Sequence, residues 1–268
     1  MKGDFIMTDE EIIEVLTKRQ YLTIKSNDLI QKNRFELSLP EQKTIAYICS
    51  MIKPIDLKDS IQGIPYQLEY EFNIREYCKI CGIDYDNGKN YLDIKFTLKR
   101  LSDRSMWLET ETEEVLCRWL SKVWINKRSG IVKIRIDEDL APYLFNLKVK
   151  FTQYQLYNVL AMKSAFSVRI YELVKSYAYQ KCKIFEINEL KRLLMVDNVK
   201  SYNNFKDFRR KVLEIAQKEI NRLTDLNISY EPITKGRKVV KIKFIIQHKD
   251  IMERLSAEQT VNNELDKE

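Results

Sequence analysis

A chain of 268 residues with 46 Lys/Arg against 39 Asp/Glu, net charge +7, has room for one large domain or two ordinary ones. At 44% apolar and 11% aromatic residues it can fill packed cores, and no apolar run is long enough to span a bilayer. Its five cysteines are odd in number and scattered, which suits reduced thiols. The acidic start MKGDFIMTDEEIIEVL is the reverse of a secretory leader, so a cytoplasmic protein with no membrane partner is expected.

Residues 1–20 read as an N-terminal extension. KSNDLIQ (25–31) precedes SLPEQKTIAYICSMI (38–52), a helix opened by Ser38 or in the Pro40 region. A mixed unit follows: Phe72-Asn-Ile74, the short helix REYCKICGI (75–83), and the longer basic helix NYLDIKFTLKRLSDR (90–104). SMWLETE (105–111) and EVLCRWLSKVWI (114–125) read as strands, NKRSG (126–130) as a basic turn and IVKIRI (131–136) as an alternating strand. Residues 151–180, FTQYQLYNVLAMKSAFSVRIYELVKSYAYQ, have helical periodicity and read as two helices meeting near Lys163-Ser164.

The same order of elements then returns. KIFEI (183–187) is a strand and NELKRLLMV (188–196) a short helix with Asn188 as its cap. FKDFRRKVLEIAQKEINRL (205–223) is a longer helix, and LNISYEPI (226–233) and KVVKIKFIIQ (238–247) form a hairpin around TKGR. Strand, helix, helix and hairpin make a winged helix-turn-helix. Phe96, Lys99 and Leu101 of the first unit match Phe208, Lys211 and Leu213 of the second. The expected fold class is α+β: two tandem winged-helix domains, 21–150 and 151–249, with 250–268 a disordered acidic tail.

Charge is unevenly spread. Residues 205–249 hold twelve Lys/Arg against five Asp/Glu, whereas 250–268 hold two against six. On a helical wheel Phe205, Phe208, Val212, Leu213, Ile215, Ala216, Ile220 and Leu223 share one half of the 205–223 helix. Lys206, Arg210, Lys211, Gln217, Lys218, Asn221 and Arg222 share the other, with Arg209 at the seam. A solvated face is the ordinary meaning of such a pattern. A focused basic segment that follows a helix-turn and precedes a basic hairpin tip points instead to a polyanion, double-stranded DNA above all. The DNA-binding candidates are Lys206, Arg209, Arg210, Lys211, Gln217 and Asn221 on the helix, for base edges, and Lys235, Arg237 and Lys238 on the wing, for phosphates. Lys95, Lys99, Arg100, Lys127 and Arg128 are the auxiliary candidates of the first unit.

Three stretches carry a resemblance. KSNDLIQ followed by SLPEQKTIAYI, SAFSVRIYELVKSY (164–177), and FKDFRRKVLEIAQKEIN (205–221) resemble, in this order, motifs of plasmid replication initiator proteins of the iteron-binding RepE/RepB type. The resemblance spans about residues 21–249. It implies a C-terminal domain that reads origin repeats and an N-terminal domain that dimerises and also touches DNA. It also implies initiation by monomers, repression of the protein's own gene by dimers, and contact with a host replication initiator and helicase. Lys206, Arg209, Arg210 and Lys211 match the family's reading stretch, and Lys235, Arg237 and Lys238 its wing.

Catalytic chemistry has little support. The single histidine, His248, allows neither a paired-His metal site nor a His-based triad, and no GxxxxGK[ST] loop is present. Cys78 and Cys81 have CxxC spacing but no second ligand pair, and core packing is the expected role of both. No cofactor or metal is expected. A winged-helix transcriptional regulator without a replication role is the alternative reading, and a DNA nickase a distant third.

Overall fold

A computed structural model describes residues 8–52, 67–84, 88–109, 112–145 and 147–267. In the first half α3 (Leu39–Met51), α4 (Ile74–Cys81) and α5 (Gly88–Asp103) pack with a sheet of order β2-β6-β5, formed by Glu69–Asn73, Ile131–Ile136 and Leu120–Ile125. In the second half α7 (Ala165–Ser176), α8 (Ile187–Leu193) and the helix made of α9 (Phe205–Phe208) and α10 (Glu214–Leu223) pack with a sheet of order β8-β10-β9. Those strands are Cys182–Glu186, Lys238–His248 and Leu226–Lys235. Both sheets are antiparallel, and in each the hairpin partner of the edge strand lies at the centre. The two halves are thus copies of one winged-helix unit.

Local chemistry sets the element boundaries. At the start of α3 Glu41 accepts from Ser38 N at 2.6 Å, with Pro40 in the first turn. The Asn73 side chain caps α4 by accepting from Arg75 N, and Gly82 ends it in the left-handed region at φ 65°. Cys78 and Cys81 face the core of α4, where burial pushes both thiols up to about 12.

Several expectations need correction. The stretch 114–125 is two strands, β4 (Glu114–Arg118) and β5, broken at buried Trp119; β4 pairs with β3 (Ser105–Glu109) in a hairpin outside the main sheet. Residues 110–111, expected to end the first of these strands, lie outside the described residues. Residues 151–155 are strand β7, paired antiparallel with β1 (Leu22–Ser26), because Thr152 and Tyr154 alternate inward. The boundary expected near 150 therefore stands beside a strand that completes a ladder with the N-terminal segment. Glu186, not Asn188, holds the cap position of α8.

Phe96 and Phe208 are not equivalent: Phe96 is 55% exposed and Phe208 fully buried. The cause is a π-helical turn at Arg209–Leu213, which adds a residue to the second helix while α5 stays regular.

The acidic tail is not disordered. Asp250 and Glu253 form a capping box, and Ile251–Leu265 is helix α11, with Ala257, Val261 and Leu265 buried. The helix packs on α6 (Tyr157–Leu160) and α10, and its C-terminal end meets the first domain. Its acidic residues find cationic partners on both sides: Glu264 pairs with Arg222 of α10, and Asp266 Oδ1 accepts from Arg19 Nη1 at 3.1 Å, which also donates to Asn262 Oδ1 at 3.0 Å. Arg19 ends α1 (Asp9–Arg19) of the N-terminal extension and also donates to the α4 carbonyls of Ile80 and Lys79. The backbone of Leu265 fills the space a Cβ on Gly82 would need, 2.7 Å from the carbonyl oxygen.

Candidate nucleic-acid interface

The basic helix opens at Asn204, whose side chain accepts from Lys206 N. Phe208, Val212, Leu213, Ala216, Ile220 and Leu223 are buried against the domain core. Through the π turn Glu214 N donates to Arg209 O, five residues back. The same spacing stacks the two side chains, and Arg209 Nε meets Glu214 Oε1 at 3.1 Å. Arg210 reaches Asp207 at 3.4 Å. Lys206, Arg209, Arg210, Lys211 and Lys218 are all exposed on this helix, so the structure brings the expected helix cations onto one solvent face.

Two of the sequence candidates have other occupations. Asn221 donates through Nδ2 to Ile228 O at 2.9 Å and accepts from Ile228 N at 2.7 Å; Gln217 donates to the same carbonyl at 3.1 Å. Ile228 lies in β9, the edge strand of its sheet, so these carboxamides satisfy backbone groups that the ladder leaves unpaired. They fasten the helix to the base of the wing rather than standing free for a base edge. The wheel placed them among polar residues correctly but cannot show a strand packed alongside.

Ile215 is also displaced from its expected role. Counted with the apolar half, it is 41% exposed, because the π turn brings the line of buried residues onto Phe208, Val212, Ala216 and Ile220. Sequence periodicity assumes a uniform 100° step, and nothing in the residue types marks where that step changes.

The wing is a two-residue hairpin loop. Lys235 pairs with Lys238, leaving Gly236 and Arg237 as the loop, with Gly236 at φ 61°. Lys235, Arg237 and Lys238 are all exposed at this tip. In the first domain Lys95, Lys99, Arg100, Lys127 and Arg128 are exposed, although Lys99 is paired with Asp103. A groove of about 640 Å3 lies between α5 and β5 there, with Leu92, Phe96, Val123 and Ile125 in its lining.

The central motif around 164–177 has a structural explanation. Arg169 is buried on α7; its Nη2 donates to Asn33 O at 3.0 Å, its Nε to Leu193 O at 3.4 Å, and its guanidinium lies 4.4 Å from the Phe35 ring centre. Glu172 accepts from Lys25 Nζ and from the Tyr154 hydroxyl, both at 2.6 Å. Burial alone would raise the Glu172 carboxyl, but Lys25, Tyr154 and Arg169 outweigh it and hold the group below its ordinary value. Tyr171 donates to Asp225 at 2.8 Å. This motif joins β1, β7, α7 and the start of β9, and it sets how the two winged helices meet. His248, at the end of β10, is lowered by burial and by nearby Lys175.

An exposed cationic helix face beside a basic two-residue wing can enter a DNA major groove while the tip lies along phosphates. Comparison with known proteins agrees with this architecture. Residues 22–175 match the family profile described as initiator replication protein, WH1, and residues 186–246 that of initiator Rep protein, WH2. A replication initiation protein of Escherichia coli is 26% identical over 218 residues, 78% of this chain; the chain spans 65% of that relative's length. Among solved structures, the Pi initiator protein in complex with iteron DNA aligns with a TM-score of 0.67 at 20% identity, over 87% of this chain and 99% of that one. With both of its winged-helix domains matched in order, the chain belongs to the initiator replication protein family.

Proposed function

We propose that this protein is a sequence-specific DNA-binding initiator of plasmid replication that recognises repeated sites at an origin. The observation that carries the reading is the exposed cationic face of α9 and α10, set rigidly beside the basic wing by the Asn221 and Gln217 bonds to Ile228. The likeness to a Pi initiator solved with iteron DNA supports the same choice of partner. The second domain is the principal reader, through Arg209, Arg210, Lys211 and Lys206, with Lys235, Arg237 and Lys238 on phosphates. The first domain adds backbone contacts through Lys95, Arg100, Lys127 and Arg128 and mediates self-association. Binding leads to origin opening and recruitment of a host initiator and helicase, and a dimer represses the protein's own gene. The protein acts in the cytoplasm by binding rather than by catalysis.

The test is footprinting on the neighbouring DNA with the full chain, beside Arg209→Ala and Arg210→Ala. Direct repeats about two helical turns apart next to an AT-rich stretch are expected, with each variant weakened by about 1–3 kcal/mol. Protection of one inverted repeat at a promoter, without opening of adjacent duplex, would favour the transcriptional regulator.

A further inference from the structure

Ile215 stands on the solvent side of the proposed reading helix. At i−4 and i+3 it has Lys211 and Lys218, both exposed, and Arg222 follows at i+7. A single exposed isoleucine on a protein surface is ordinary. This one differs in its place: it interrupts a face whose other exposed members are charged, on the proposed reading helix, and it keeps 41% of its surface open while Phe208, Val212, Leu213, Ala216, Ile220 and Leu223 are buried. The π turn at Arg209–Leu213 sets the phase that leaves Ile215 beside the cations.

Resting on the reading that this helix enters the major groove, we propose that Ile215 is a specificity-determining residue that packs its side chain on the C5-methyl group of a thymine. The major groove displays one apolar group per A·T pair, the thymine methyl, and an aliphatic side chain is the natural reader of it. The flanking Lys211 and Lys218 carry charge toward phosphate or guanine acceptors, and neither can supply an apolar contact. Loss of about one methyl's worth of apolar contact corresponds to about a fourfold change in affinity.

The experiment uses a duplex selected by the full-length protein from a random library, with each thymine replaced in turn by deoxyuridine, which removes only the methyl. Wild type is expected to lose about fourfold in affinity at one position of a half-site. Ile215→Ser should lose a similar factor on the thymine duplex and nothing further on that deoxyuridine duplex, while Ile215→Val keeps most of the preference. Matching melting curves exclude a folding defect, since the side chain is half exposed. If the deoxyuridine penalty is unchanged in Ile215→Ser, or no thymine shows one, the proposal is overturned. Full binding by Arg210→Ala and Lys211→Ala in the same assay would instead overturn the placement of the helix.

Discussion

Asn221→Ala separates a reading role from a fastening role. The side chain makes two hydrogen bonds to one residue of β9, 2.9 Å to Ile228 O and 2.7 Å from Ile228 N. Ile228 is itself 3% exposed, so water does not readily replace the lost partner. Its carbonyl keeps Gln217 as a donor, but its N–H on the outer edge of β9 is left unsatisfied, which costs about 1–3 kcal/mol. Alanine returns about 0.5 kcal/mol through better helix propensity. The net loss is about 1.5 kcal/mol, a drop of roughly 3–6 °C in melting temperature for a protein of this size. Thermal melts give the stability, and competition with selected and scrambled duplexes gives the preference. Below the melt the variant should weaken on all DNA by a common factor, because the wing is less firmly held, and rank the duplexes as wild type does. An unchanged melting temperature with altered preference at one adenine would refute the reasoning and return Asn221 to base readout.

Replacing Lys235, Arg237 and Lys238 together with alanine should weaken specific and scrambled DNA alike and reduce the slope of log affinity against log salt by about 2–3, measured by titration across salt concentrations. Lys25→Met should cost about 3–5 kcal/mol in denaturant unfolding, since it leaves the buried Glu172 carboxylate without its cation; adding Glu172→Gln should restore part of that. Because the folded-state Glu172 value is lowered, its stabilisation is complete above the unfolded carboxylate range and fades as pH falls through the lower folded value. The Lys25→Met penalty should accordingly be largest above the carboxylate range and shrink as pH falls and Glu172 takes up its proton, so that the wild-type and variant stability curves converge in acid. Gly82→Ala places a methyl against the Leu265 backbone at a positive φ, and should loosen α11 by about 1–3 kcal/mol, read as faster amide exchange over 251–265 with exchange in β9 and β10 unchanged.

The repeated order of strand, helix, helix and hairpin was legible because each piece writes a local signature: alternation in Lys238–His248, glycine at the wing tip, an apolar stripe in α10. The cationic residues of the reading face were legible for the same reason. What escaped notice depends on neighbours distant in sequence. Thr152 and Tyr154 become strand residues only because β1 lies beside them, and Asn221 and Gln217 become fasteners only because β9 does. Phase errors at Phe96 and Ile215 trace to one π turn with no marker in composition. The acidic tail read as unstructured because its charge excess hid a narrow line of Ala257, Val261 and Leu265, and because its partners Arg19 and Arg222 lie elsewhere in the chain.

Helix α11 has a consequence for the order of events during synthesis. The residues that clamp the first winged helix through Gly82 and Arg19 are Asn262, Leu265 and Asp266, which follow both winged helices in the chain. Each winged helix can gather its own core as it emerges. The clamp from α11, however, cannot close until residue 266 has cleared the exit tunnel. A nascent chain stalled before α11 would carry both DNA-facing surfaces while lacking the brace between them. Chain order thus makes the α11 clamp a later assembly step than the gathering of either winged-helix core.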